Sequence, residues 1–269
     1  MNQQANPTKL TVALHKLTSC SGCQLAFLNQ GATLLELVEL VEFKHFIEAG
    51  LNHPDEKVDL AFVEGSVSTP EDLKRAQQIR QNSKLVVSIG ACATSGGVQA
   101  LRNMADGNAW MQAVYTRPDF IATLGTSTGV AEHIKVDFEL WGCPITVRQV
   151  NHFIRQLLFG AKPRPEAEKL CMACKRHQLV CVMVTQQAPC LGPVVRTGCG
   201  ALCPAFGRAC YGCFGPSEQP NCHSLANRFA GLGLVPREIA QRFASIHSHS
   251  NPFREESHHW QAIEVKEIE

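Results

Sequence analysis

The chain has 269 residues, which suits two domains on a prior of roughly 100 to 200 residues each. Its hydrophobic fraction of 45 % and charged fraction of 18 % are those of a globular protein, and no stretch approaches the roughly 20 apolar residues of a membrane helix. With 25 basic against 24 acidic residues the net charge is +1, so nothing supplies the positive footprint that a nucleic-acid partner requires.

Leu10 to Thr18 reads as a buried strand, and Cys23 to Phe46 carries apolar residues at helical spacing with a break near Gly31. Val58 to Val63 is a second strand. Thr69-Pro70-Glu71-Asp72 then opens a helix, with Thr as N-cap, Pro in the first turn and acids at the positive end of the helix dipole. Lys84 to Ile89 repeats the strand signal, Val136 to Leu140 gives a weaker one, and a helix follows from about Val147 to Phe159. Strands alternating with helices predict an open, largely parallel α/β sheet. The composition changes at Lys162-Pro163-Arg164-Pro165, a good linker and a poor core. The expected organisation is an α/β domain over 1–162, a cysteine-rich module over 163–221 and a tail over 222–269. This tail is expected to be helical: it starts with two short helices around Pro236 and ends in the polar stretch SHSNPFREESHHW, where disorder is favoured.

Thirteen cysteines are the feature that composition leaves unexplained. The N-terminus, MNQQANPTKLTV, shows no export signal, so a cytoplasmic protein is expected. Cytosolic thiols stay reduced and the count is odd, which argues against a disulfide framework and for metal or redox chemistry. Cys20 and Cys23 follow the first strand, Cys92 follows KLVVSI, and Cys143 follows the weak fourth strand. All four stand at the C-terminal ends of strands, the edge where open α/β sheets bind ligands. Each has a glycine nearby: Gly22, Gly90 or Gly142. Four thiolates are the ligand set of a 4Fe-4S cluster. A strand followed by Cys-x2-Cys is also the thioredoxin arrangement, but the two further strand-end cysteines favour metal.

Eight more cysteines run from Cys171 through Cys174, Cys181, Cys190, Cys199, Cys203 and Cys210 to Cys213, with no sustained apolar periodicity between them. Metal ligation is expected to supply the missing stability. Cys199-x3-Cys203-Pro204 matches the end of a bacterial ferredoxin run whose first half is absent. Zinc on Cys171, Cys174, Cys210 and Cys213 would leave four cysteines unused.

Together CSGC, VEGSV, GACA, GCP, PCLGPVVRTGCGALCP and ACYGCFGP resemble the small subunit of nickel-iron hydrogenases, in particular the cytoplasmic NAD(P)-linked and sulfhydrogenase-type members, from about Lys9 to Pro216. The resemblance implies a flavodoxin-like domain with a proximal 4Fe-4S cluster on Cys20, Cys23, Cys92 and Cys143, followed by a small irregular ferredoxin-like module with two more 4Fe-4S clusters. It implies a distal set of Cys171, Cys174, Cys181 and Cys190 and a medial set of Cys199, Cys203, Cys210 and Cys213; a crossed pairing, as in ferredoxins, is the alternative. The implied partners are a nickel-iron large subunit, where hydrogen is split, and a flavin-containing diaphorase with additional iron-sulfur subunits. The chain itself would only carry electrons.

Glu64, in VEGS, matches a glutamate of that motif, either as a hydrogen-bonding or proton-relaying auxiliary or as a cap of its own loop. His177 and His223 lie near the cysteines and could replace a ligand, but are read as solvated; His247, His249, His258 and His259 sit in the polar tail, read as disordered, with loosely bound metal as the alternative. Cys222 is left over from three sets of four. Two rival readings are the cluster-bearing subunit of complex I, which shares the first domain, and a zinc-stabilised interaction module with a redox dithiol.

Overall fold

The computed structural model describes residues 9–268 apart from Pro165 and Ala167, so the N-terminal segment Met1–Thr8 and Pro165 of the linker lie outside the described residues. Five parallel strands form one sheet: β1 (Leu10–Lys16), β2 (Val41–Phe46), β3 (Val58–Glu64), β4 (Ser83–Ile89) and β5 (Phe138–Leu140). Their order, β2-β1-β3-β4-β5, is the flavodoxin-like one, with its topological switch between β1 and β3. The helices of this part are α1 (Gly22–Leu28), α2 (Ala32–Leu40), α3 (Pro70–Asn82), α4 (Gly90–Ser95), α5 (Gly107–Val114) and α6 (Val147–Leu158).

Both faces of the sheet are covered, which is why the strands read as apolar runs. Val12, Leu14 and Phe62 pack with Phe27 of α1 and Val150, Phe153 and Ile154 of α6. Ala13, Ala61 and Val86 pack on the other face with Ala76 and Ile79 of α3. The expected start of α3 is present: Asp72 N–H donates to Thr69 Oγ1 at 3.0 Å and Thr69 N–H to Asp72 Oδ2 at 2.9 Å.

One element departs from the sequence reading. The segment Cys23–Phe46, expected to be helical with a break near Gly31, does divide there into α1 and α2, but its end is the strand β2. VEFKHF is rich in β-branched and aromatic residues, and pairing with β1, as in Val12↔Phe43 and Leu14↔Phe46, satisfies its backbone and buries Val41 and Phe46. Local periodicity carries no information about such a partner.

The β1–β2 pair also buries two imidazoles. His15 and His45 stack with ring centroids 4.7 Å apart and are 3 % and 5 % exposed. Burial, then the facing His45 and Arg75, hold the pKa of His15 at about 3 against an ordinary 6.5, and burial lowers that of His45 as well. Between those two values the unfolded chain binds the proton and the folded chain does not, so stability falls as pH drops through this window. His15 alone contributes a slope of about 1.4 kcal/mol per pH unit, and His15→Phe is expected to flatten the pH dependence of thermal melting by that much. An unchanged slope would show that the ring titrates freely.

The C-terminal part contains α7 (Leu170–Arg176), α8 (Val182–Thr185), α9 (Leu202–Ala205), α10 (Cys222–Ala230), α11 (Pro236–Phe243) and α12 (Asn251–Ile268). Pro236 is the first residue of α11, as its sequence position suggests. The segments 163–221 and 222–269, separate in the sequence reading, share one apolar core: Leu170, Val182, Leu191, Val194 and Phe214 pack with Phe229, Ile239, Phe243, Phe253 and Trp260. The tail therefore supplies the burial that the cysteine-rich stretch lacks, beside anything a metal adds. Its last part, expected to be disordered, is the 18-residue helix α12, with Phe253 and Trp260 in that core. Among the described residues no helix is long and apolar enough to cross a membrane.

Candidate metal centre

Cys20 and Cys23 lie just past β1, Cys92 is in α4 directly after β4, and Cys143 follows β5, so the sheet brings the four expected residues to one edge. Cys20 and Cys143 are exposed, Cys92 is half-buried and Cys23 is buried. The thiols are near enough to feel one another. Burial, then the charge of Cys143, pushes Cys92 up to about 11; Cys23 is raised by burial, Glu64, Cys92 and Cys143; Cys143 is raised by burial, Cys20 and Glu64.

Glycine makes this packing possible. Gly90 has φ +84°, and a Cβ there would overlap Cys23 Sγ; one on Gly97 would lie 2.8 Å from Cys92 Sγ. Glu64, 2 % exposed at the end of β3, sits at the switch point. Its carboxylate accepts from the N–H groups of Cys23 at 3.2 Å and Gln24 at 3.1 Å. Burial raises its pKa against those two hydrogen bonds. Glu64 therefore caps not its own loop but the first turn of α1, and with it the backbone of Cys23.

The other eight thiols surround the C-terminal core. Cys171 and Cys174 share α7, and Cys181 precedes α8. Gly192 lies between Cys171 and Cys190, its Cβ position 3.5 and 3.4 Å from their sulfurs. Burial, then Cys190, Cys174 and Cys181, pushes Cys171 up to about 11; Cys174 is raised by burial, Cys190 and Cys181. Burial, then Cys199 and Cys203, pushes Cys213 up to about 12, and Cys203 is raised by burial and Cys199. Cys210 stands at the seam. Its N–H donates to Cys190 Sγ at 3.2 Å, its own sulfur accepts from Gly212 N–H at 3.3 Å, and burial raises it together with Cys190, Cys213 and Cys199.

Thiols crowded and buried in this way hold their protons tightly, because neighbouring thiolates repel and lack water. A group that accepts four thiolates and returns iron charge removes that cost. Among the described residues no three His, Cys, Asp or Glu side chains are placed to hold one metal ion. The all-thiol donor sets and the glycines that clear space beside the sulfurs fit iron-sulfur clusters.

The remaining candidates sort by burial. Cys222 is 6 % exposed in the C-terminal core, where burial, then Glu256, pushes it up to about 12; no other thiol acts on it. His177 is exposed, and exposed His223 pairs with Glu256. His247 departs from its reading: it is 1 % exposed and hydrogen-bonded to both halves of the chain. Sequence reasoning also passed over Gln99, whose Oε1 is 3.2 Å from Cys92 Sγ; no motif marks it.

The profile of the family described as NADH ubiquinone oxidoreductase, 20 Kd subunit, matches residues 20–157, the part holding the first four cysteines. Sulfhydrogenase 2 subunit delta of Pyrococcus furiosus is 33 % identical over 86 % of this chain and 93 % of that protein, so it also spans the C-terminal thiols. NAD-reducing hydrogenase HoxS subunit delta of Cupriavidus necator is 30 % identical over 51 % of this chain and 72 % of that protein. A solved NAD+-reducing [NiFe]-hydrogenase chain superposes with a TM-score of 0.53 at 27 % identity, over 58 % of this chain and 94 % of that one. An actinobacterial-type NiFe-hydrogenase from Ralstonia eutropha shares the fold, with a TM-score of 0.57 over 79 % of this chain and 80 % of that one. The chain belongs to the NADH ubiquinone oxidoreductase 20 Kd subunit family and, within it, to the hydrogenase subunits related to sulfhydrogenase delta.

Proposed function

We propose that this chain is the electron-transfer subunit of a cytoplasmic nickel-iron hydrogenase, holding three 4Fe-4S clusters between the large subunit and an NAD(P)-linked, flavin-containing diaphorase with its own iron-sulfur subunits. The proximal ligands are Cys20, Cys23, Cys92 and Cys143. The medial ligands are Cys199, Cys203, Cys210 and Cys213, and the distal ligands are Cys171, Cys174, Cys181 and Cys190. The observation that supports this reading most is that the stretch 199–213 adjoins both other groups of thiols: Cys210 N–H reaches Cys190 Sγ at 3.2 Å, and His247 bridges the Cys213 carbonyl and Ser95 of the helix that carries Cys92.

When bound, the clusters supply one-electron carriers whose potentials respond to hydrogen bonds and solvent. The protein's part is positional. The switch point presents Cys20 and Cys23, Glu64 holds the turn that carries Cys23, and the N–H of Cys210 meets a sulfur of the neighbouring set. Exposed Cys20 and Cys143, with exposed Leu25 and Val98, mark the face for the large subunit. The eight thiols from Cys171 to Cys213, all beyond residue 157, have no place in a one-cluster subunit of a quinone-reducing complex, which favours the hydrogenase reading.

Anaerobically purified protein is expected to contain about twelve irons and as many sulfides per chain, and a tagged chain to retain a nickel-containing partner. About four irons with zinc would leave only the first site standing.

A further inference from the structure

His247, between α11 and α12, hydrogen-bonds to the surroundings of two thiol sets at once. Its Nε2 is 3.0 Å from the carbonyl oxygen of Cys213 and its Nδ1 is 2.6 Å from Ser95 Oγ. A carbonyl only accepts, so Nε2 carries the proton and donates it; Nδ1 is then the acceptor, and the Ser95 hydroxyl donates to it. Ser95 ends α4, one helical turn after Cys92. The imidazole also packs against Trp141, with ring centroids 5.2 Å apart, and Trp141 lies two residues before Cys143. The Arg196 guanidinium lies 4.7 Å from the Trp141 ring centroid. Gly215, at φ +71°, has no room for a Cβ, which would overlap the indole and lie 3.3 Å from His247 Cε1. The neighbouring His249 repeats the attachment more loosely, facing Asn103 at 3.4 Å and Glu132 at 3.5 Å.

Resting on the cluster reading above, we propose that His247 is the joint between the first and the middle site. Its two hydrogen bonds and its packing on Trp141 fix the Cys213 loop against the Cys92 helix and the Cys143 loop, and so set the electronic coupling between the two clusters. His247 acts as a positioning residue. It neither gains nor loses a proton in this role, and its fixed tautomer keeps both hydrogen bonds the right way round. The tail thereby has a function that its composition hides: it anchors the cysteine-rich module to the sheet between the Cys92 helix and the Cys213 loop.

The test uses the assembled, cluster-loaded complex. His247→Phe keeps a ring against Trp141 but removes both hydrogen bonds, whereas His247→Gln can still donate to Cys213 and accept from Ser95. Three quantities are read: iron and sulfide per chain, the magnetic interaction between the reduced proximal and medial clusters by electron paramagnetic resonance, and amide hydrogen exchange over residues 245–250. H247F is expected to keep the wild-type iron content, to weaken the magnetic interaction and to lose exchange protection, with H247Q restoring most of both. Wild-type magnetic interaction in iron-replete H247F would overturn the proposal. If H247F loses iron, Ser95→Ala removes the same link from its other end, and the same two outcomes decide. A wild-type protein without iron-sulfur clusters would instead overturn the cluster reading itself, so the two failures are told apart.

Discussion

On the proposed reading, Cys210→Ser is expected to stop electrons from reaching the distal cluster while leaving the assembly's catalysis of hydrogen–deuterium exchange, proposed to occur in the large subunit, at the wild-type rate. Cys210 is 5 % exposed, and its backbone N–H reaches Cys190 of the neighbouring set. A serine there either places a harder oxygen ligand on iron or, left unligated, buries a hydroxyl in an apolar core at a cost of about 1–3 kcal/mol. The medial signal in electron paramagnetic resonance should vanish or change shape while the proximal one remains. Cys174→Ser, on α7, should by contrast alter only the distal signal. If Cys174→Ser and Cys203→Ser disturb the same cluster, the two sets are crossed as in ferredoxins, and the sequential assignment is wrong although the count of clusters survives.

Gly90→Ala is expected to empty the proximal site. A side chain at φ +84° costs roughly 1–2 kcal/mol in the left-handed region, and here the added methyl also overlaps Cys23 Sγ. The backbone cannot easily yield, because Ala91 N–H is bonded to Gly142 O at 2.7 Å and so ties this turn to the loop of Cys143. Iron should fall by about four per chain, with the signals of the other two clusters intact, since the C-terminal thiols are held by a core of their own. Gly107→Ala is the control: no atom lies within 4 Å of its Cβ position, and full iron content is expected. Equal iron in both variants would mean that Cys23 is not a ligand in this position.

The meeting of the first four cysteines at one sheet edge and four of the five strands are legible in the linear sequence for one reason. A buried parallel strand writes itself as a short apolar run, and a thiol placed directly after such a run must lie at the ligand-binding edge of the sheet. LTVALHK, VDLAFVE and KLVVSI needed no partner to be recognised, and Thr69 with Asp72 announced α3 by chemistry local to four residues. Tertiary structure alone decided the rest, because the decisive contacts join residues far apart in the chain. β2 exists because β1 offers it a ladder, so its residues read equally well as the end of a helix. Glu64 turned out to hold a helix 40 residues earlier, and His247 to meet a serine 152 residues away. A histidine in a polar tail has no local sign that distinguishes solvent from a buried joint; its contacts with Ser95, Trp141 and Cys213, all far away in sequence, take it out of water.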